Sequence, residues 1–318
     1  MAALKIDIQR LFKIRILLGS LLISLVSPGI FADGVVGNTV PGVIVASGSA
    51  APLSAPPIDD IPTTAQMCER IGRKLDSVDI EECLAQKLLP TDGLSVWRQP
   101  ILGKEYPPLA PRRPRARVLL FGGIHGDEYS SVSIVFKWMK ILDKHHSGLF
   151  HWYFVPLLNP DGLLRKNSQR MNANDVDLNR NFPPLDGDEK SSLKYWSWRT
   201  KRNPRRYPGP RPLSEPESRW LARKIDRFRP DAIIALHAPY GIVDFDGPPK
   251  APERLGRLRL NLLGTYPGSL GNYAALQKQI PVVTLELRYA GILPEDMEMR
   301  RIWVDLVKWL IRRFPKPE

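Results

Sequence analysis

The sequence predicts an α/β protein in which helices cover both faces of a mixed, mainly parallel β-sheet, giving three layers. From about residue 92 onward, short apolar runs typical of buried strands alternate with longer segments of helical periodicity. The chain has 318 residues, of which 43% are hydrophobic. That length and composition can bury a large core, which excludes a chain that is disordered throughout.

The first 32 residues have the three parts of a secretory signal peptide. A basic start, MAALKIDIQRLFKIR, precedes the apolar run ILLGSLLISLV, and SPGIFADG follows with the helix breaker Pro28 and the small Ala32. We therefore expect cleavage near Ala32 and a mature protein that is periplasmic or secreted. The alternative is an uncleaved anchor in the inner membrane, although the apolar run is short for a full span.

The next two segments lead into the main domain. Residues 33–60 are rich in Gly, Pro, Ala, Ser and Val, which predicts a linker. Residues 61–91 predict a small helical hairpin that carries both cysteines, Cys68 and Cys83, with Ser77 between them as a possible helix cap. In an exported protein this pair predicts a disulfide, and the alternative is two buried free thiols. No second cysteine pair completes a zinc site.

Residues 92–318 predict one domain, which opens with a short hairpin around Gln99–Pro100. Four strands follow along the chain: RVLLFGG, HWYFVPLLNPDG, DAIIALHAP and PVVTLELR. Three amphipathic helices lie between or after them: SSVSIVFKWMKILDK, EPESRWLARKIDRF and EDMEMRRIWVDLVKWLIRRF. For the second helix, Ser214 and Glu217 have the spacing of a capping box.

Polar residues stand where four predicted strands end, and ligands bind at the carboxyl ends of strands in open α/β sheets. They are His125 with Glu128, the NPDG turn at Asn159–Gly162 that leads to Arg170, His237, and Glu286. The other three histidines have structural explanations. His145 and His146 follow a predicted helix, where imidazolium meets the negative end of the dipole, and His151 starts a strand.

The residue types at these strand ends predict hydrolytic metal chemistry. Two histidines and one carboxylate, His125, Glu128 and His237, suit Zn²⁺ with one position left open for water. If His125 and Glu128 lie on the first turn of a helix, their spacing of three puts them on one side. Glu286 could act as the base, and Arg170 could stabilise an oxyanion. Asn179 and Arg180 form a fork that could bind a carboxylate.

The order of these motifs closely resembles the zinc carboxypeptidases related to carboxypeptidase A, over about residues 92–318. The order is H-x-x-E, then Arg, then D-x-N-R-N, then a lone His after a strand, then T-x-E-L. The segments GGIHGDEYSSV, NPDG, NANDVDLNRNF, SEPES and PGSLGNYA look most like the murein peptide amidase branch. The resemblance implies a zinc carboxypeptidase-like α/β fold and one Zn²⁺ per chain.

The resemblance also implies roles for individual residues. His125, Glu128 and His237 would bind the zinc. Glu286 would be the general base, and Arg170 would polarise the scissile carbonyl together with the metal.

Further roles concern the substrate and the support of the metal ligands. Asn179 and Arg180 would hold the terminal carboxylate of the substrate, and Asp177 would orient the imidazole of His125. Tyr266 falls where digestive members have a mobile tyrosine, and a residue at the rim of the site is an equal alternative. Asp127 stands where those enzymes carry an arginine, which removes part of their peptide subsite.

The resemblance implies hydrolysis of the bond between the γ-carboxyl group of D-glutamate and the amine of meso-diaminopimelate in murein peptides. One alternative is a metallocarboxypeptidase acting on ordinary peptides. An alternative of another class is a non-catalytic cell-wall-binding module. The basic loop between Phe182 and Ser214 is expected to wall the pocket through Lys194, Tyr195, Trp196, Trp198 and Arg199.

The net charge of +13 and the isoelectric point of about 9.8 favour an acidic partner, such as a cell-wall polymer or anionic lipid headgroups. No motif for base recognition is present, so nucleic acid is not expected as a partner. The expected partner is a murein peptide, or another peptide with a free carboxylate. Contact with a membrane is expected only through an uncleaved signal anchor.

Overall fold

A computed structural model describes residues 61–111, 113–248 and 250–315. The predicted signal peptide (1–32) and linker (33–60) lie outside the described residues. The described residues form a nine-stranded mixed sheet with helices packed on both faces, which confirms the predicted fold class. Within these ranges no helix is both long enough and apolar enough to cross a bilayer.

The α-helices of the described ranges are Thr64–Lys74 (α1), Ile80–Ala85 (α2), Tyr129–His145 (α3), Pro160–Leu164 (α4), Ser191–Arg199 (α5), Pro216–Phe228 (α6) and Asp296–Arg313 (α7). The strands are Leu89–Leu94 (β1), Pro100–Tyr106 (β2), Arg117–Phe121 (β3), His151–Val155 (β4), Ala232–His237 (β5), Ile242–Asp246 (β6), Arg254–Leu255 (β7), Leu258–Leu260 (β8) and Val282–Glu286 (β9). Two short 3₁₀-helices span Leu178–Arg180 and Pro204–Arg206, and a π-helix spans Gly271–Gln277.

The sheet has a parallel centre. Its strand order is β1-β2-β4-β3-β5-β9-β6-β8-β7. Strands β4, β3, β5 and β9 are parallel neighbours, while β2 and β6 pair antiparallel with the two sides of this group. Because parallel strands end at the same edge, the residues that follow β3, β5 and β9 are brought together.

Strand β3 shows how the layers are built. Successive side chains of a strand point to opposite faces. Val118 and Leu120 pack in a core with α3 and α7, whereas Leu119 and Phe121 pack in a second core with α6 and the π-helix. All four side chains are fully buried, and complete burial of such a side chain contributes about 1.5–3 kcal/mol.

The N-terminal helices are joined by the disulfide Cys68–Cys83, which connects α1 to α2. Both half-cystines are buried in the same core as α3 and α7. The possible cap at Ser77 is wrong. Asp79 caps α2 by accepting a hydrogen bond from the Glu82 amide at 2.6 Å. Ser77 instead donates its hydroxyl to Ser133 on α3, at 2.7 Å.

The capping box predicted at the start of α6 is also wrong. Pro216 occupies the first turn, so the cap position falls on Glu215, which makes no side-chain cap bond. The Ser214 hydroxyl donates to the Glu215 carboxylate at 2.7 Å instead. The Glu217 carboxylate turns into the interior, where it accepts from the Asn172 side chain at 3.1 Å.

Candidate functional site

His125 and Glu128 lie on the turn between β3 and α3. They precede the helix, which begins at Tyr129, so the predicted placement on its first turn is wrong. The turn still brings their side chains together, with His125 Nδ1 2.8 Å from Glu128 Oε1. Gly126 lets the turn approach the chain closely, because a Cβ there would lie 2.1 Å from the carbonyl carbon of Gly162.

His237, the last residue of β5, completes the cluster. Its Nδ1 lies 3.2 Å from Nδ1 of His125 and 3.1 Å from Oε2 of Glu128. The amide of Ala238 donates to the same carboxylate oxygen at 3.2 Å. The three side chains are almost fully buried, with exposures of 2% for His125, 5% for Glu128 and 4% for His237.

These donor atoms fit a zinc ion. His125, Glu128 and His237 form a group of possible metal-ligating residues with donor atoms within 4.8 Å of one another. Zinc binds nitrogen and oxygen ligands at about 2.0–2.2 Å, so tetrahedral neighbours stand about 3.3 Å apart. The nearest separations within the cluster, 2.8–3.2 Å, are close to that spacing. Three protein donors are also the number found in catalytic zinc sites.

Asp177 precedes the 3₁₀-helix at Leu178–Arg180 and contacts both His125 and Arg170. Its Oδ1 lies 3.1 Å from Nε2 of His125, and its Oδ2 accepts from Nε of Arg170 at 3.0 Å. Burial opposes ionisation of Asp177, but the charges of Arg170 and His125 hold the pKa of its carboxyl well below the ordinary value. The buried carboxylate therefore fixes the imidazole ring and the guanidinium together.

Glu286 ends β9 directly beside His237, its partner in the parallel register. The side chain is 6% exposed, and Oε2 has no hydrogen-bond partner in the part of the chain that the structure describes. Burial raises the pKa of the Glu286 carboxyl. A carboxylate with a raised pKa and a free oxygen can accept a proton and return it.

Arg180 is a buried cation near the charge of Asp177. Its side chain is 8% exposed, and one guanidinium N–H donates to the Asn179 carbonyl at 2.6 Å. The ring of Tyr266 lies 4.6 Å from the guanidinium carbon. No ion pair of Arg180 occurs among the described residues. The Asn179 side-chain oxygen accepts from the Leu270 amide at 2.9 Å, which holds the following loop against the site.

Two adjacent cavities share some of these residues as walls. An outer cavity of about 360 Å³ and an inner one of about 80 Å³ share Arg170, Arg180, Leu263 and Tyr266 as walls. Glu128 lines the outer cavity, and His125 and His237 line the inner one.

Two acids that sequence reasoning missed, Asp244 and Asp246 on β6, line the inner cavity. Asp244 is 6% exposed and accepts from the Leu263 amide at 2.9 Å. Burial, with the charge of Asp244 in addition, raises the pKa of Asp246 to about 7. The signal was the spacing of two in VDFDG, which puts both acids on one face of a strand.

The expected wall of the pocket needs a correction. The segment between Phe182 and Ser214 contains α5, and the five residues expected to line the pocket, Lys194, Tyr195, Trp196, Trp198 and Arg199, belong to that helix. They do not line the two described cavities. The outer cavity is lined instead by Asn203, Arg205 and Arg206, from the turn after α5. Tyr195 contributes indirectly, because its ring packs edge-on against Tyr266 at 5.6 Å.

Comparison of the sequence with known proteins identifies the family of this chain. A profile of the zinc carboxypeptidase family matches residues 72–243, more than half of the chain. The chain belongs to the zinc carboxypeptidase family and is a hydrolase of the metallopeptidase type. The match includes His125, Glu128 and His237 and ends before Glu286.

Within the family, this chain is similar to murein peptide amidases. It is 33% identical to murein peptide amidase A of Escherichia coli K12 over 172 residues, which cover 52% of this chain and 69% of the relative. It is 30% identical to murein peptide amidase A of Vibrio campbellii over 211 residues, which cover 63% and 79%. The resemblance recognised in the sequence is thereby confirmed.

Solved structures agree on the fold. The crystal structure of murein-tripeptide amidase MpaA from Escherichia coli O157 has a TM-score of 0.50 at 25% identity, covering 69% of this chain and 89% of that one. Bovine thrombin-activatable fibrinolysis inhibitor, solved in complex with tick carboxypeptidase inhibitor, has a TM-score of 0.52 at 19% identity and covers 71% and 91%. The second likeness shows the fold alone.

Proposed function

We propose that this protein is an exported zinc-dependent amidase that hydrolyses the γ-D-glutamyl–meso-diaminopimelate bond of murein peptides. The observation that carries the proposal is the charge pattern of the two adjacent cavities. Beside the metal-ligand cluster, Arg180 offers a cation that forms no ion pair with any described residue, and Asp244 and Asp246 line the inner cavity. That pattern suits a leaving residue with a free carboxylate and an ammonium group on its side chain. Diaminopimelate has both.

The metal would be held by His125, Glu128 and His237, one ion per chain. When bound, zinc supplies Lewis acidity, which lowers the pKa of a water molecule and polarises a carbonyl. Asp177 fixes the tautomer and orientation of His125 through Nε2, which leaves Nδ1 directed at the cluster.

The protein's own groups account for the proton movements. Glu286 accepts a proton from the attacking water as the oxygen bonds to the scissile carbonyl carbon, and later donates a proton to the amine as the C–N bond breaks. Arg170, held by Asp177 through Nε, directs Nη1 toward the cluster and can stabilise negative charge that develops on the carbonyl oxygen. The products are a γ-carboxylate on D-glutamate and a free amine.

Action outside the cytoplasm is supported by two features. The N-terminal residues have the composition of a signal peptide. The disulfide Cys68–Cys83 suits an oxidising compartment. We propose that the mature enzyme trims peptide stems of the cell wall.

The test is incubation of the mature protein with L-Ala-γ-D-Glu-meso-diaminopimelate, with products identified by mass spectrometry. The expected products are L-Ala-D-Glu and free diaminopimelate, formed slower by a factor on the order of 10² or more in the Glu286→Gln variant. Ordinary L-peptides with a free C-terminus serve as competing substrates. Faster release of their C-terminal residues, with the tripeptide left intact, would contradict the proposal and support an ordinary metallocarboxypeptidase.

A further inference from the structure

Arg206 is an unpaired cation in the wall of the outer cavity. It belongs to the 3₁₀-helix Pro204–Arg206 and is half-buried. Its guanidinium has no hydrogen bond or ion pair within the described part of the chain. The neighbouring Arg205 differs, because it pairs with Asp127 at 2.8 Å and so neutralises the acid on that wall. The outer cavity therefore keeps an excess of positive charge at Arg206.

The backbone around Arg206 is held in place from both ends. The Asn203 side chain accepts from the Arg205 amide at 3.0 Å, which caps the turn. The Tyr207 carbonyl accepts from the amide of Asp177 at 2.8 Å, so the turn is tied to the residue that orients His125. Tyr207 also packs on Trp196, with ring centroids 5.0 Å apart. The backbone that carries Arg206 is thus held at the wall of the outer cavity.

Arg206 and Arg180, the proposed binder of the leaving residue, differ in the cavities that they line. Arg180 and Tyr266 line both cavities, whereas Arg206 lines the outer cavity only. Both arginines line the outer cavity. Burial lowers the pKa of Arg180, and the charge of Arg206 acts in the same direction. A substrate whose leaving residue occupies the inner cavity must place the acyl side of its scissile bond in the outer one.

We propose that Arg206 binds a carboxylate on the acyl side of the scissile bond and thereby selects γ-linked glutamyl substrates whose α-carboxylate is free over those whose α-carboxylate is amidated. The inference rests on the proposed function. When glutamate is linked through its γ-carboxyl, its α-carboxylate stays free near the bond to be cut. An unpaired guanidinium beside that position forms a charge-assisted hydrogen bond, which no neutral carboxamide can replace.

The experiment compares two pairs of substrates on the mature enzyme. In the first pair, L-Ala-γ-D-Glu-meso-diaminopimelate is set against the analogue in which D-isoglutamine replaces D-glutamate. In the second pair, the α-carboxylate of diaminopimelate is free or amidated. The variant is Arg206→Gln, and Arg211→Gln removes the same charge from an exposed position outside the cavities. Melting temperatures show that each variant is folded.

The wild type is expected to prefer the D-glutamate substrate over its isoglutamine analogue about tenfold in kcat/KM, the size of one charge-assisted contact. Arg206→Gln should bring that ratio to within about threefold of unity and leave the second pair's ratio intact. Arg211→Gln should change neither ratio. An unchanged first ratio in Arg206→Gln, or a loss confined to the second pair, overturns the inference.

Binding measurements separate this inference from the proposed function. If the wild type cleaves neither tripeptide of the first pair while cutting ordinary peptides, the proposed hydrolysis fails. Calorimetric titration of the two intact tripeptides into wild type and Arg206→Gln then decides the role of Arg206. Tighter binding of the D-glutamate form, lost in the variant, supports it. Equal or undetectable binding in the wild type overturns it.

Discussion

One buried carboxylate, Asp177, orients three groups of the candidate site. It contacts Nε2 of His125 at 3.1 Å and Nε of Arg170 at 3.0 Å, and it accepts from the Asn179 amide at 3.0 Å. The imidazole of the candidate metal cluster and a guanidinium that lines both cavities thus share one support. A change at Asp177 is expected to disturb metal affinity and the polarising role of Arg170 together.

The division of roles at the cluster can be tested at Glu286. Glu286→Gln keeps the shape and hydrogen bonding of the side chain and removes its basicity. We expect unchanged zinc content and substrate affinity, with kcat lower by a factor on the order of 10² or more. Metal analysis, calorimetric titration and initial rates measure these quantities. Loss of zinc from this variant would show that Glu286 binds the metal, which the account does not allow.

At the scale of elements, helices and strands with a strong repeat of apolar residues could be predicted from the sequence. The central strands and the helices α3, α6 and α7 were predicted because their apolar residues repeat at two or near 3.6 residues. Strands β6 to β8 and the π-helix were missed because they are short or polar. Pro216 moved the start of α6 by one residue, which the capping-box pattern could not show.

Some residues of the candidate site could likewise be predicted from the sequence, and others could not. The turn and strand-end residues could be predicted, because His125, His237 and Glu286 follow recognisable strands within family motifs. Asp244 and Arg206 could not, since their place in the cavities depends on the antiparallel register of β6 with β9 and on the course of the loop after α5. The spacing of two between Asp244 and Asp246 marks one face of a strand, but a single sequence does not show which cavity that face lines.

Glu217, in the first turn of α6, has a carboxyl group whose pKa differs between the folded and the unfolded chain. Burial raises the pKa of Glu217 to about 8, and the charge of Asp161 adds to this, against an ordinary value of 4.5. Between these values the folded protein keeps a proton that the unfolded chain has released. The stabilisation is therefore complete below about pH 4.5 and is lost as the pH rises to about 8.

We expect Glu217→Gln to flatten this decline in stability. Glutamine cannot ionise and can accept from the Asn172 side chain as the glutamate does. Urea unfolding at several pH values between 5 and 8 measures the free energy of unfolding. Glu253→Gln, at an exposed glutamate, is the matched control and should follow the wild type. A decline as steep in Glu217→Gln as in the wild type would remove Glu217 as the source.

The disulfide between α1 and α2 is expected to act locally. It closes a loop of 15 residues, for which the loss of chain entropy corresponds to about 3 kcal/mol. Joint replacement of Cys68 and Cys83 by Ala should lower the free energy of unfolding by about that amount. Hydrogen exchange by mass spectrometry should accelerate over α1 and α2 more than over β5. Equal acceleration in both regions would mean that the bond stabilises the whole core.

At the scale of the whole molecule, the candidate metal centre joins distant parts of the chain. The ligand groups come from the turn after β3 and the end of β5, which are 109 residues apart at Glu128 and His237. Folding must bring the parallel strands into register before the cluster exists. A bound ion should then stabilise the folded state alone, so removal of zinc by a chelator should lower the melting temperature.

The central claim is that His125, Glu128 and His237 hold one catalytic zinc ion. Metal analysis of the purified mature protein, beside the variant His237→Ala, tests it most directly. We expect about one zinc per chain in the wild type. In the folded variant, zinc and hydrolytic activity should be lost together. Full zinc occupancy in folded His237→Ala, or an active wild type without bound metal, would contradict the claim.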